Sequence, residues 1–134
     1  MPRRSQRPSG HVLGVGVDLV ELEEFTTSVA NRPTIVKRVF TPRERASCEG
    51  PRRVEALAAR FAAKEAAFKA VGTGWALGVT WRDVEVVSER GRAPELVVRG
   101  ELKKRARARG GTTLQVSLTH SGSYAAAVVL LVAD

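Results

Sequence analysis

Residues Arg60 to Lys69 read RFAAKEAAFK, and no other stretch limits the fold as strongly. Four alanines in ten residues, with no glycine or proline among them, predict helix, because alanine loses no side-chain entropy there. The pattern runs from about Arg53 to Val71 and stops at Gly72-Thr73-Gly74, where the backbone has access to positive φ. On a wheel of about 100° per residue, Val54, Leu57, Phe61, Phe68 and Val71 form one apolar arc. Lys64 and Glu65 fall at its opposite edges, with Lys69 one turn beyond Glu65 and Arg60 one turn before Lys64. A charge drawn partly into a packed face is costly unless it is paired or bound to a metal. Either Glu65 and Lys69 form an ordinary i,i+4 pair at a solvated edge, or the edge charges belong to a site.

A chain of 134 residues, 43% hydrophobic and 27% charged, is long and apolar enough for a globular core. One domain is expected over residues 11–134, behind a flexible basic arm over 1–10 that carries Arg3, Arg4 and Arg7. Lysine and arginine number 22 against 14 acids, a net +8 that points to an acidic partner. Nucleic acid, an anionic membrane, a phosphorylated small molecule and an acidic protein all satisfy that sign. Aromatics at 5% argue against a single-strand binder built on stacking. Cys48 alone cannot form an internal disulfide, and no CxxC or His/Cys cluster suggests zinc. Neither a signal peptide nor a membrane span is visible, so a cytoplasmic location is expected.

Val12 to Leu22 reads as a strand with Leu13, Val15, Val17 and Leu19 on one face and Gly14, Gly16 and Asp18 on the other. Two glycines clear space on the face that carries the acid. Leu19 stands where a dinucleotide fingerprint needs its third glycine, so that reading fails; a helix cap is the structural alternative for Asp18. One or two short helices follow from Glu21 to Phe40, broken near Asn31-Arg32-Pro33. Thr41-Pro42-Arg43-Glu44 is a capping box with proline at the first helical position, and it requires no functional explanation. Beyond Gly74 the pattern predicts a hairpin of 83–88 with 95–99 and a basic helix from Glu101 to Arg109. A second hairpin pairs 112–119 with 124–132 around Ser121-Gly122-Ser123. The order of elements is α+β, a mainly antiparallel sheet packed on a long central helix.

Three groups of residues stand out together. They are an acid after a Gly-x-Gly strand, a Lys-Glu pair trailed by Lys-x-x-Gly-Thr-Gly, and Ser117-Leu118-Thr119-His120 at a strand end. In this order the chain resembles the holo-acyl-carrier-protein synthases, the small type of 4′-phosphopantetheinyl transferase. The matching residues are Gly14 to Glu21, Arg60 to Ala66, Lys69 to Gly74, and Ser117 to His120 followed by Tyr124 to Ala127; Phe40-Thr41-Pro42 and Asp83 to Val86 also match. The resemblance spans about Gly14 to Leu130.

The resemblance implies transfer of the phosphopantetheine arm of coenzyme A to a serine of an acyl carrier protein, releasing adenosine 3′,5′-bisphosphate in support of fatty acid biosynthesis. Attack on a pyrophosphate requires charge neutralisation and an activated nucleophile. Asp18 and Glu65 would supply oxygen ligands for Mg²⁺, and Lys69 would point at the phosphates. A water of the cation's shell, relayed through Asp18 or Glu65, is the favoured proton acceptor. Arg60, Lys64, Lys69, Gly72, Thr73, Gly74, Pro94, His120 and Ser121 are the coenzyme-binding positions so implied; Lys64 and Arg60 bind phosphate or orient Glu65. The family is homotrimeric with sites between subunits, which would make an apolar outer face on the C-terminal strands an interface. Its carrier is acidic, in keeping with +8.

The chain departs from the family in three places. Glu23-Glu24-Phe25 replaces an expected basic residue, which shifts carrier docking toward Arg32, Lys37, Arg38 or Arg43. Phe68 fills a position often small and polar beside the coenzyme, and Gly91-Arg92-Ala93-Pro94 is one residue longer than usual. The alternative from another class is a basic nucleic-acid-binding domain, with Lys103, Lys104, Arg105, Arg107 and Arg109 tracking phosphates. A third reading, an inactive structural subunit, gives no reason to keep costly edge carboxylates.

Overall fold

Alternation from Val12 onward builds a strand, and alanine builds the helix that lies across it. The computed structural model describes residues 10–134; the basic arm expected over 1–10 falls, apart from Gly10, outside them. In chain order the elements are β1 (His11–Glu21), α1 (Leu22–Asn31), α2 (Thr34–Val39), α3 (Pro42–Ser47) and α4 (Arg53–Val71). A 3₁₀ turn at Trp81–Asp83 leads into β2 (Val84–Val87), β3 (Glu95–Val98), α5 (Gly100–Ala108), β4 (Thr113–Ser121) and β5 (Tyr124–Ala133).

Three strands form a sheet in the order β1-β5-β4, and β2 pairs with β3 in a second sheet; every pairing is antiparallel. Both expected hairpins are present, and β1 joins the second of them along β5. Asp18 lies opposite Ala127, which lies opposite Leu118 on β4. The class is α+β with antiparallel sheets.

Helix α4 crosses the inner face of the larger sheet. The glycines of β1 make that contact possible. A Cβ on Gly16 would stand 1.9 Å from the Ala66 carbonyl oxygen, and one on Gly14 would stand 2.0 Å from that of Ala70. Backbone therefore rests on backbone, and the strand that carries Asp18 reaches the helix that carries Glu65 and Lys69.

Burial around α4 corrects the narrow apolar arc. Ala58, Ala59, Ala62, Ala63, Ala66, Ala67 and Ala70 are all buried, together with Leu57, Phe68 and Val71. The helix is enclosed on most sides because alanine is small enough to be covered both by the sheet and by α1, α5 and β2. Burying a large side chain such as Leu57 or Phe68 contributes about 1.5–3 kcal/mol.

The outer face of the larger sheet is different. A bulge between Val12 and Gly14 puts Val12, Val15, Val17 and Leu19 outward, each 58–62% exposed, beside Val128 and Tyr124 of β5. Leu13, expected on that face, is half-buried because the bulge shifts the alternation.

Candidate active site

Asp18 projects from β1 toward α4 because Gly14 and Gly16, four and two residues earlier, let the strand lie against the helix. Lys69 Nζ stands 3.1 Å from Asp18 Oδ1 and donates to the Val17 carbonyl at 2.9 Å. The lysine thus turns across to β1 and does not fold back along its own helix to Glu65, which corrects the simple i,i+4 reading. Asp18 is 13% exposed, and its Oδ2 is buried with no hydrogen-bond partner. Nor is Asp18 a helix cap, for α1 begins at Leu22 and has Glu21 at its N-cap position.

Glu65, one turn before Lys69, meets the same acid. Burial pushes its carboxyl up to about 7, and the adjoining Asp18 carboxylate pushes in the same direction. The Lys69 ammonium and the Trp75 indole partly offset this. Two carboxylates converge here with one buried oxygen left unpaired, and a small divalent cation would answer both features. Among the described residues no cluster of three or more metal-ligating side chains occurs. A pair of carboxylates nevertheless suits Mg²⁺, which keeps several waters and takes phosphate oxygens as further ligands. The residues present fit the ion.

Lys64 has a different place from the one expected. It is fully buried, 2.9 Å from Glu44 Oε1, and donates to the carbonyls of Trp81 and Val84. Burial lowers its pKa, and the Glu44 carboxylate opposes that shift. All three ammonium donors are engaged inside the protein, so Lys64 anchors α4 to the β2 region and has none left for a phosphate. Glu44 completes the anchor by accepting from Thr41 N at 2.9 Å and Val86 N at 2.7 Å. The capping box therefore does more than start α3. Arg60 is also buried; its Nη1 donates to the Ala56 carbonyl at 3.2 Å and its Nε has no partner.

Gly72 closes α4 in the left-handed region at φ 90°. The N–H groups of Gly72 and Thr73 donate to the Phe68 carbonyl at 2.9 and 3.1 Å, and that of Gly74 lies 3.4 Å from it. These donors cap the helix end and are not free for a ligand, contrary to expectation, because the last carbonyls of a helix require partners. Phe68 faces the core and is buried, its ring centroid 5.4 Å from that of Trp81.

The remaining positions lie apart from the acid pair within one chain. His120 and Ser121 sit exposed at the end of β4, and the row Val20–Ala125–His120 puts β5 between β1 and the histidine. Pro94 precedes β3 and lines a groove of about 620 Å³ with Lys103, Arg107 and Thr113. Asp18, Glu65 and Lys69 are together; His120, Ser121 and Pro94 are not with them.

A family model described as the 4′-phosphopantetheinyl transferase superfamily matches residues 14–129. The chain belongs to that superfamily. It is 42% identical over 122 residues to the holo-[acyl-carrier-protein] synthase of Koribacter versatilis, covering 90% of this chain and 98% of that one. The same identity over the same length relates it to the Moorella thermoacetica synthase, with 90% and 94% covered. Among solved structures, the Chronobacterium ammoniagenes ACPS–CoA complex superposes with a TM-score of 0.77 at 31% identity, over 95% of this chain and 99% of that one.

In this transferase, sequence reasoning missed Glu44, Trp75 and Arg109. Glu44 was visible only as a cap. Trp75 is exposed at the head of a groove of about 490 Å³ that also holds Glu65, Phe61 and Trp81; its ring meets that of Trp81 edge-on at 4.4 Å. A tryptophan directly after Gly72-Thr73-Gly74 was the available signal. Arg109 is no phosphate-tracking residue: it donates to three main-chain carbonyls. Arg105 is paired with Glu101 at 2.9 Å. Two members of the row on which the nucleic-acid reading depended are therefore engaged within the protein, while Lys103, Lys104 and Arg107 stay exposed.

Proposed function

We propose that the chain transfers the 4′-phosphopantetheine group of coenzyme A to a serine hydroxyl of an apo-acyl carrier protein at the Asp18–Glu65–Lys69 site. The observation that carries this reading is the convergence of one lysine and two carboxylates from β1 and α4, with Asp18 Oδ2 unpaired. The relatives' names supply the reaction class, and one relative is solved with coenzyme A.

The serine oxygen forms a bond to the phosphorus that bears pantetheine. The bond from that phosphorus to the bridging oxygen breaks, and adenosine 3′,5′-bisphosphate leaves with the electron pair. Asp18 and Glu65 would hold Mg²⁺, which when bound supplies positive charge to the pyrophosphate oxygens. Lys69, anchored by Val17 O and Asp18 but still 52% exposed, would lay its ammonium along the phosphates and offset charge on the leaving group. The serine proton would depart toward the carboxylate pair.

The uncovered valine face of β1 and β5 supports a homotrimer in which each site lies between subunits. Val17 and Leu19 flank Asp18 on the same strand, so the site borders that face, and a neighbouring copy would bring His120, Ser121 and Pro94 to it. Arg32 and Arg38 line the groove beside Glu65 and would receive an acidic carrier. Residues 11–134 would act as one catalytic domain in the cytoplasm, serving fatty acid biosynthesis. No described helix is long and apolar enough to cross a membrane. Intact-mass analysis of apo-carrier incubated with coenzyme A and Mg²⁺ tests the reaction. A gain of one phosphopantetheinyl group, abolished by EDTA, is expected; an unchanged carrier mass across several carriers would refute it.

A further inference from the structure

Resting on the reading of Asp18, Glu65 and Lys69 as the transfer site, we propose that Arg109 is a positioning residue for it. Its guanidinium locks the carboxyl end of α4 to β1 and so sets the separation of Asp18 from Glu65 and Lys69.

The site straddles two elements that come from distant parts of the chain, so their register depends on non-covalent contact. At Gly14 and Gly16 the β1 backbone lies directly on the alanine backbone of α4. Contact there is close but has no side chain that interlocks. Directional bonds add to the β1–β5 ladder in fixing the register at this end of the helix. Lys69 makes two of them, to Val17 O and Asp18, but Lys69 belongs to the site itself.

Arg109 supplies the others. Nη1 donates to the carbonyls of Ala70 and Val71, both at 2.9 Å, and Nη2 donates to the Leu13 carbonyl at 2.6 Å. The end of α4 has carbonyls to satisfy: Phe68 O and Lys69 O receive N–H groups from the Gly72–Gly74 turn, and Ala70 O and Val71 O receive Arg109. The guanidinium lies in a slot between two glycines. A Cβ on Gly14 would stand 3.1 Å from Nη1, and one on Gly72 would stand 3.4 Å from it. A cation at a helix carboxyl end is also favoured by the helix dipole. Lysine cannot copy this, since a point ammonium lacks the planar fork that spans three carbonyls on two elements.

The test compares full-length wild type, Arg109→Lys and Arg109→Met in steady-state transfer to apo-carrier. Coenzyme A and Mg²⁺ are varied separately, at a temperature where circular dichroism shows each protein folded. A site out of register loses its reactive geometry while its substrate grip survives. The expected result is a kcat lower by about tenfold or more, since misplacement by 1 Å can cost about 100-fold. The Mg²⁺ concentration for half-maximal rate should rise several-fold, KM for coenzyme A should stay within about twofold, and the lysine variant should be intermediate. Variants that melt earlier yet keep wild-type kcat and Mg²⁺ midpoint would overturn the proposal and leave Arg109 a stabilising residue only. If Arg109→Met does not fold, Arg109→Lys decides by the same two readouts. Absence of transfer by the wild type itself would overturn the underlying site reading, a result distinct from either.

Discussion

Glu65 shows how a single side chain reports the site it belongs to. Its carboxyl is raised to about 7, first by burial and then by Asp18, whereas an unfolded chain releases that proton near 4.5. Between those values the folded form binds more protons than the unfolded one, so stability falls as pH rises through that window. Glu65→Gln removes the titration. In metal-free buffer at pH 8 the variant should be the more stable protein by about 2 kcal/mol, after discounting for partial exposure, and the difference should vanish below about pH 4.5. Thermal denaturation across pH measures this, and parallel curves for the two proteins would contradict it. Mg²⁺ should restore stability to the wild type and do much less for the variant.

At the scale of elements, α4 is held in place by a buried ion pair as well as by alanine packing. Lys64→Met leaves Glu44 buried without its cation and should cost about 3–5 kcal/mol. Adding Glu44→Leu removes the stranded charge, and the double variant should recover part of that loss. A double variant less stable than Lys64→Met by the full cost of a second independent loss would show that the pair is uncoupled. Much of this level was legible in the sequence. Alternation marked β1 and both hairpins, and Thr41-Pro42-Arg43-Glu44 marked the start of α3. The wheel over Val54 to Val71 failed where it treated alanine as neutral, because burial of alanine depends on what lies above it. The same limit hid the partners of Lys64 and Arg109: Glu44 lies in another helix, and the carbonyls of Leu13, Ala70 and Val71 carry no side-chain signature. Asp18, Glu65 and Lys69 stood out as charges beside glycine and alanine, but their spacing left a helix cap and an ordinary i,i+4 pair open, and it was the family resemblance that joined them into one site.

For the whole molecule, the proposed trimer would explain both the uncovered face of the larger sheet and the dispersal of the expected coenzyme positions. His120, Ser121 and Pro94 lie away from the acid pair in one chain, and the valines that border that pair lack cover. Assembly through that face would resolve both. Val17→Asp buries a charge in such an interface and should shift the protein from trimer to monomer by light scattering, with transfer falling at least tenfold. A variant that stays trimeric and active would place the interface elsewhere. The net +8 predicts in addition that carrier KM rises with salt.

Asp18 and Glu65 are proposed to hold together the cation at which phosphopantetheine is transferred. Single-turnover transfer from coenzyme A to apo-carrier, measured against Mg²⁺ concentration for wild type, Asp18→Ala and Glu65→Ala, tests it most directly. A saturable Mg²⁺ dependence is expected in the wild type and a loss of about 100-fold or more in each folded variant, not recovered at high Mg²⁺. A wild-type rate in either variant, or a wild-type rate indifferent to Mg²⁺ and EDTA, would contradict it.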